Sequence, residues 1–256
     1  MSYAHTLPPA VNGSPAPGKP AARPGRGSIL IWPIDPVIED QQQATALWLE
    51  NRDSKPVYMQ IRVLGWRQTA GKDDYSNQSD VIASPPVASI APGKRQLIRL
   101  IKQSAPAAGQ ERAYRILVDE VPVKEQSSGA APGGAEMGLK FQMRYSVPLF
   151  VSGKGIWTKQ DSEKPRDYAT ASQPQLSYRL QQQSSERWLE VRNQGAVHAR
   201  MSKVTLQGRS LNPGLMGYVL PGSQMRFALP PAGGFSSGKL MATVNDNKQP
   251  VAIPSY

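Results

Sequence analysis

The chain has no cysteine. That excludes disulfide scaffolding, thiolate catalysis and cysteine-ligated metal sites. Histidine is nearly as scarce: His5 lies in the proline-rich N-terminal segment and His198 stands alone on an expected strand. No HExxH, no GxSxG and no phosphate-binding glycine loop occurs, so the common routes to metalloprotease, hydrolase and nucleotide chemistry are closed. No window approaches the roughly 20 apolar residues of a membrane helix, and long helix-period segments are missing. Acidic residues are outnumbered, 19 Asp and Glu against 30 Lys and Arg, for a net charge of +11. Such an excess suits nucleic acid, an acidic membrane surface or an anionic protein group as partner. The basic residues are dispersed without a block of five or six and without an RNA-binding aromatic signature, which argues against nucleic acid.

Paired carboxylates offer little chemistry. Asp119 and Glu120 are neighbours on an expected strand and face opposite sides. Asp73 and Asp74, in GKDDYSNQ, read as a solvated turn rather than a cation site. No catalytic residue, metal site or cofactor is expected, and the chain does not read as an enzyme.

What is present is strand material. Over 256 residues, 24 prolines and 22 glycines punctuate short apolar runs, the pattern of an all-β protein with room for two domains. SILIWPIDPVIE (28–39) is interrupted by Pro33 and Pro36; proline donates nothing to a ladder, so this strand should lie at an edge or change sheets. ATALWLEN, VYMQIRVLGW, two short strands around Pro85-Pro86 and Ala91-Pro92-Gly93, and RAYRILVDEVPV follow. With the run at 137–149 they make about seven strands, the number of an immunoglobulin-like sandwich. After the polar joint SGKGIWTKQDSEKPRD (152–167) come five more runs: QLSYRLQQQ, RWLEVRNQG, HARMSKVTLQG, GYVLPGSQMRFALP and GKLMATVND. Trp188-Leu189-Glu190-Val191-Arg192-Asn193 echoes Trp48-Leu49-Glu50-Asn51. The expected division is a Pro/Ala/Gly-rich tail at 1–27, a first sandwich at 28–152 and a second at 153–256. The tail cannot bury enough apolar surface to order itself, and it lacks the apolar stretch of about 7–15 residues of a signal peptide.

One run stands out. In MGLKFQMRYSVPL (137–149), Met137, Leu139, Phe141, Met143, Tyr145 and Val147 alternate with Lys140, Gln142, Arg144 and Ser146. Strands commonly run about 5–6 residues. A longer apolar row either lines an unusually deep core or offers its surface to something outside the chain.

The order of these segments resembles the PapD-like pilus chaperones over residues 28–256. The residues that carry it are IWPIDPVIE, ATALWLEN, SPPVASIAPGKRQLIRL and ERAYRILVDEVPV followed by the alternating run. IWPIDPVIE, WLENRD, QIRVLGW, DDYSNQSDVI and QMRYSVPLF resemble the archaic branch that serves Csu-type pili. The resemblance implies two immunoglobulin-like sandwiches in a boomerang arrangement with an interdomain cleft. It implies a periplasmic chaperone that lends a strand to pilin subunits whose own immunoglobulin-like sandwich lacks one, and delivers them to an outer-membrane usher. Self-association when no client is bound is left open by the sequence; the resemblance also implies a leader, which residues 1–27 do not supply.

By that resemblance Met137, Leu139, Phe141, Met143 and Tyr145 form the donor row. Methionine suits the role, since a flexible thioether adapts to pockets of different shape. The arginine and lysine that grip the client carboxylate in much of the family are here Asp35 and Ser146. Arg115 is the expected anchor instead, with Arg144 and Lys140 behind it, while Arg62 is expected on a more remote strand. Glu111 matches the glutamate that braces the two domains, and Phe150 stands at its arginine partner's place. The alternative reading is an immunoglobulin-like adhesion or ligand-binding module of the cell surface; a β-sandwich enzyme would need a polar catalytic cluster that is not found.

Overall fold

The computed structural model describes residues 29–122, 142–230 and 236–256. The expected tail, Met137, Leu139 and Phe141 of the apolar row, and Lys140 of the polar row lie outside the described residues.

The N-terminal part holds β1 (Ile29–Trp32), β2 (Val37–Ile38), β3 (Ala44–Asn51), β4 (Val57–Thr69), β5 (Lys72–Ser76), β6 (Val81–Ser84), β7 (Val87–Ile90), β8 (Arg95–Lys102), β9 (Glu111–Glu120) and β10 (Arg144–Ser152). One sheet has the order β1-β3-β8-β6; the other runs β2-β10-β9-β4-β5, with β7 also on β4. Inward residues such as Leu47, Leu49, Met59, Ile98, Leu100, Ile116, Val118 and Leu149 fill the space between them. Each fully buried side chain of this kind contributes about 1.5–3 kcal/mol of transfer free energy. Pro33 and Pro36 do what a missing N–H requires. The chain leaves β3 after Trp32 and joins the opposite sheet at Val37, where β2 pairs parallel with β10.

The C-terminal part holds β11 (Leu176–Gln183), β12 (Glu186–Asn193), β13 (Ala199–Leu206), β14 (Arg209–Val219), β15 (Gln224–Ala228), β16 (Leu240–Val244) and β17 (Val251–Ile253). Its sheets run β11-β12-β15 and β14-β13-β16-β17 around a second core that includes Tyr178, Leu189, Val191, Met201, Val204 and Leu240. The chain is thus all-β in two immunoglobulin-like sandwiches. Two strands here exceed the five expected. β14 is disguised by Asn212-Pro213-Gly214 and pairs with β13 through three register shifts, while β17 has only three residues.

Two further readings change. Asp73 and Asp74 lie on β5, paired with Gln68 and Arg67 of β4, and not in a turn. Asp73 accepts hydrogen bonds from Trp66 Nε1 at 2.7 Å and Gln68 Nε2 at 3.0 Å. Of the run at 137–149, the described part begins β10 at Arg144, and from Val147 to Ser152 both faces of the strand are buried. Alternation stops there because each face has its own apolar cover.

The echo between the two sandwiches is structural. Asn51 and Asn193 each end a strand, and both are fully buried. Asn51 donates from Nδ2 to the carbonyls of Lys55 and Ile90 and accepts from the N–H of Asp53. Asn193 donates to the carbonyls of Val197 and Val219 and accepts from the N–H of Gly195. Each also donates its own N–H to a residue just past a Pro-Gly turn, Lys94 or Ser223. Gly93 and Gly222, at φ 69° and 67°, supply the left-handed residue that both turns need. One device stitches strand to turn in both domains. Asn51→Ala and Asn193→Ala should each destabilise the affected sandwich by about 2–4 kcal/mol, because buried backbone groups lose partners. Urea unfolding checks it; a loss below about 1 kcal/mol at both sites would show that the stitch is not needed.

Candidate functional site

The site is built on the outward face of β10, β9 and β4, where directly opposed residues share a side. Across the sheet the rows read Phe150–Ala113–Trp66, Pro148–Arg115–Leu64 and Ser146–Leu117–Arg62. At its lower end this face packs on the second sandwich. Trp66 and Phe150 join Tyr218 and Leu220 in a separate apolar cluster, with Val37 and Ala113 at its margin. His198 stacks flat on Phe150, ring centroids 3.4 Å apart, and Trp66 meets Tyr218 edge-on at 5.5 Å.

Polar contacts surround this joint, with the carboxylates on the first sandwich and the cations on or near the second. Glu111, its side chain wholly buried, accepts from the N–H of His198 at 2.9 Å and faces His198 Nδ1 at 3.0 Å. Asp35 pairs with Lys159 and with Arg200 Nη1, the latter at 2.7 Å. Arg200 also reaches Asp246 at 2.9 Å. Arg166 forks onto Glu39 and lies over the Trp157 ring at 4.0 Å. Gln68 imitates a strand: its side chain accepts from the N–H of Leu220 and donates to the carbonyl of Tyr218. His198 is therefore not alone: it meets Glu111 across the joint, the glutamate whose arginine partner is replaced by Phe150. Nothing in sequence links Glu111 to His198, 87 residues apart, or Asp35 to Arg200.

Beside the joint lies Arg115. Its guanidinium sits 3.9 Å from the Trp66 ring centroid and 5.4 Å from that of Tyr218. Its Nε is buried without a hydrogen-bond partner. Among the described residues no carboxylate pairs with it. Arg144 differs. Its Nε donates to Asp119 Oδ1 at 2.6 Å, and Arg62 holds the other oxygen at 2.8 Å. Burial opposes ionisation of Asp119, but hydrogen bonds from Arg144 and then Arg62 outweigh it and hold the carboxyl below its ordinary range. Arg144 is engaged, then, while Arg115 is an unneutralised cation at the cleft. Arg62 lies on the strand next to β9 and on the same face as Arg115, so it is not remote.

β10 itself has an open side. Among the described residues β2 covers it only at Phe150 and Val151, so Arg144–Leu149 are paired on the β9 side alone. Tyr145 packs against the first core, whereas Met143, at 38% exposure, does not. Of the expected donor row, Met143 is the described residue turned to solvent.

Two tandem sandwiches, an open strand edge and a cation beside their joint define a class, and comparison with known proteins gives it a family. The description "Pili and flagellar-assembly chaperone, PapD N-terminal domain" matches residues 36–156. The crystal structure of the CsuC–CsuE chaperone–tip adhesion subunit pre-assembly complex, from the archaic chaperone-usher Csu pili of Acinetobacter baumannii, contains a chain 34% identical to this one. The match covers 90% of this chain and 100% of that one, with a TM-score of 0.73. The chain belongs to the PapD-like pilus chaperones, and within them its likeness is to the archaic Csu branch. The E. coli chaperone DraB (17% identity, 88% and 96% coverage, TM-score 0.58) and the Salmonella enterica SafA pilin–SafB chaperone complex (16%, 91% and 98%, 0.61) share the fold. Comparison with curated protein sequences gives no match.

The Asp119 cluster makes a pH prediction. A carboxyl held low in the folded state stabilises fully above its ordinary value, about pH 4, and this contribution is lost as pH falls through the lowered one. Asp119→Asn should therefore lower the urea midpoint at neutral pH, with the gap to the parent closing below about pH 4. The gap should shrink in high salt, since both arginines are largely exposed. A gap constant over the acid range would mean that the ionised cluster adds nothing.

Proposed function

We propose that this protein captures strand-deficient pilin subunits by donor-strand complementation in the periplasm and passes them to an outer-membrane usher. The client's unpaired edge adds to the open side of β10, extended upstream through the donor row Met137, Leu139, Phe141 and Met143. Backbone hydrogen bonds supply affinity and alternate apolar side chains fill the client groove, which is β-augmentation. Capture also hides an edge that would otherwise aggregate. Arg115 grips the client's terminal carboxylate, and the open edge of β10 beside this unneutralised arginine is the observation that carries the reading.

The anchor does more than attract. Guanidinium and carboxylate make two parallel hydrogen bonds, which set where the client strand starts. A slip of one residue would turn every donor side chain away from its pocket. Placing a cation against Trp66 is compatible with this role, because a ring face holds the guanidinium without consuming its donors.

Co-expression with a candidate pilin subunit, followed by purification of the complex, tests the reading. Arg115→Ala should abolish capture, since removing one partner of a buried charge pair costs about 2–5 kcal/mol; Arg115→Lys should restore it in part. Arg52, on the opposite sheet and paired with Glu50, is the control and should tolerate alanine. Phe141→Asp and Met143→Asp should leave the free protein folded and lose the complex, as burying a carboxylate in an apolar groove costs several kcal/mol. Wild-type complex yields from Arg115→Ala would move the anchor elsewhere; wild-type yields from both donor-row variants would remove the strand reading.

A further inference from the structure

A carboxylate has two oxygens, and a single guanidinium offering one edge leaves acceptor capacity unused. In much of this family a second cation would meet it; here that place is Ser146, whose short hydroxyl lies on the exposed face of β10. The immediate neighbours of Arg115 across the sheet, Leu64 and Pro148, have no donor. The second donor must come from further round the pocket.

Two phenols are in place. Tyr218, 8% exposed, is packed into the interdomain joint. Tyr75 is 45% exposed. On β5 it stands directly opposite Trp66, the ring on which Arg115 is stacked, so tyrosine and guanidinium flank one indole on one face of the sheet. Asp73, two residues back on the same side, is directed to Trp66 Nε1 and Gln68 Nε2. Burial, then the charge of Asp73, pushes the Tyr75 phenol above its ordinary value; the charge of Arg115 acts the other way, and hydrogen bonding to Asp73 and to Arg115 places the hydroxyl between the two.

We infer that the Tyr75 hydroxyl is the second hydrogen-bond donor of the carboxylate anchor, completing with Arg115 the grip on the client's terminal residue. This rests on the reading of Arg115 given above. The anchor is then one cation and one phenol, placed on β9 and β5 and spaced by Trp66. A phenol can reorient its O–H but adds no charge, so it favours a carboxylate through direction and leaves the long-range attraction to Arg115. Tyr75 is a specificity-determining residue, and its removal should reduce discrimination between a free acid and its amide.

The test uses two synthetic peptides with the C-terminal strand sequence of a pilin subunit that co-purifies with this protein, one ending in a free acid and one in an amide. Binding to the full-length protein is measured by fluorescence anisotropy for wild type, Tyr75→Phe, Arg115→Ala and the double variant. Tyr75→Phe should weaken acid binding about tenfold, the size of one hydrogen bond to a charged group, and leave amide binding and melting temperature unchanged. In the Arg115→Ala background the same change should add less than about twofold, since the two donors act on one group. If Tyr75→Phe keeps the wild-type preference for acid while Arg115→Ala loses it, the phenol has no part and the Arg115 reading stands. Should wild type itself not prefer the acid, the anchor reading falls and this inference with it.

Discussion

The arrangement depends on Phe150 buried between two sandwiches. It belongs to β10, the strand whose first half is open to a partner, yet its ring lies flat on His198 of the other domain. One strand therefore carries both the open edge and the interdomain joint. The apolar stack provides the contact, and Glu111, Asp35 and Glu39 on one side against His198, Lys159, Arg200 and Arg166 on the other give it direction. Ionic contacts of this kind add orientation more reliably than net stability, because desolvation offsets much of the attraction. Their role is best understood as holding the angle at which the β9–β10–β4 face meets the second sandwich.

That division of charge bears on Asp35. The resemblance placed it where many relatives carry an anchoring arginine, and on sequence alone it looked like a lost site. In the structure it is a buried carboxylate, 7% exposed, engaged by two cations. That position is part of the joint. The cation proposed as anchor, Arg115, lies on β9, two strands across from β2, where Trp66 and Tyr218 shelter it. An arginine that meets ring faces rather than a carboxylate keeps its charge unneutralised, and among the described residues this separates Arg115 from Arg144, which Asp119 already occupies.

Much of this was legible in the sequence because it follows from backbone chemistry. Pro33 and Pro36 announced a sheet change since neither can donate to a ladder. The period-two runs announced strands, and the WLE–N echo marked a stitch that both sandwiches use. Where the reading stopped, the cause was physical in each case. β14 passes through Asn212-Pro213-Gly214, and its bulges break the alternation that identifies a strand. β5 is exposed at every residue, so it lacks the apolar row that sets a strand apart from a turn. The pairs Glu111–His198 and Asp35–Arg200 join residues 87 and 165 positions apart, and no local pattern encodes a contact at that range. The end of alternation along β10 was not visible either, since its outward Phe150 is covered by Tyr218 and Leu220 of the second sandwich.

The short parallel pairing of β2 with β10 has a geometric consequence. β2 occupies the ladder positions of Phe150 and Val151, and the chain leading into it is fixed by Pro36, which accepts the N–H of Phe150 through its carbonyl. Any strand that zips along β10 from the upstream end meets this segment after Leu149 and can go no further. β2 thus acts as an end stop, a fixed origin from which residues of an added strand are counted. Lengthening β2 by a single pair would shift that origin and shorten the available track, without altering a side chain on the track itself.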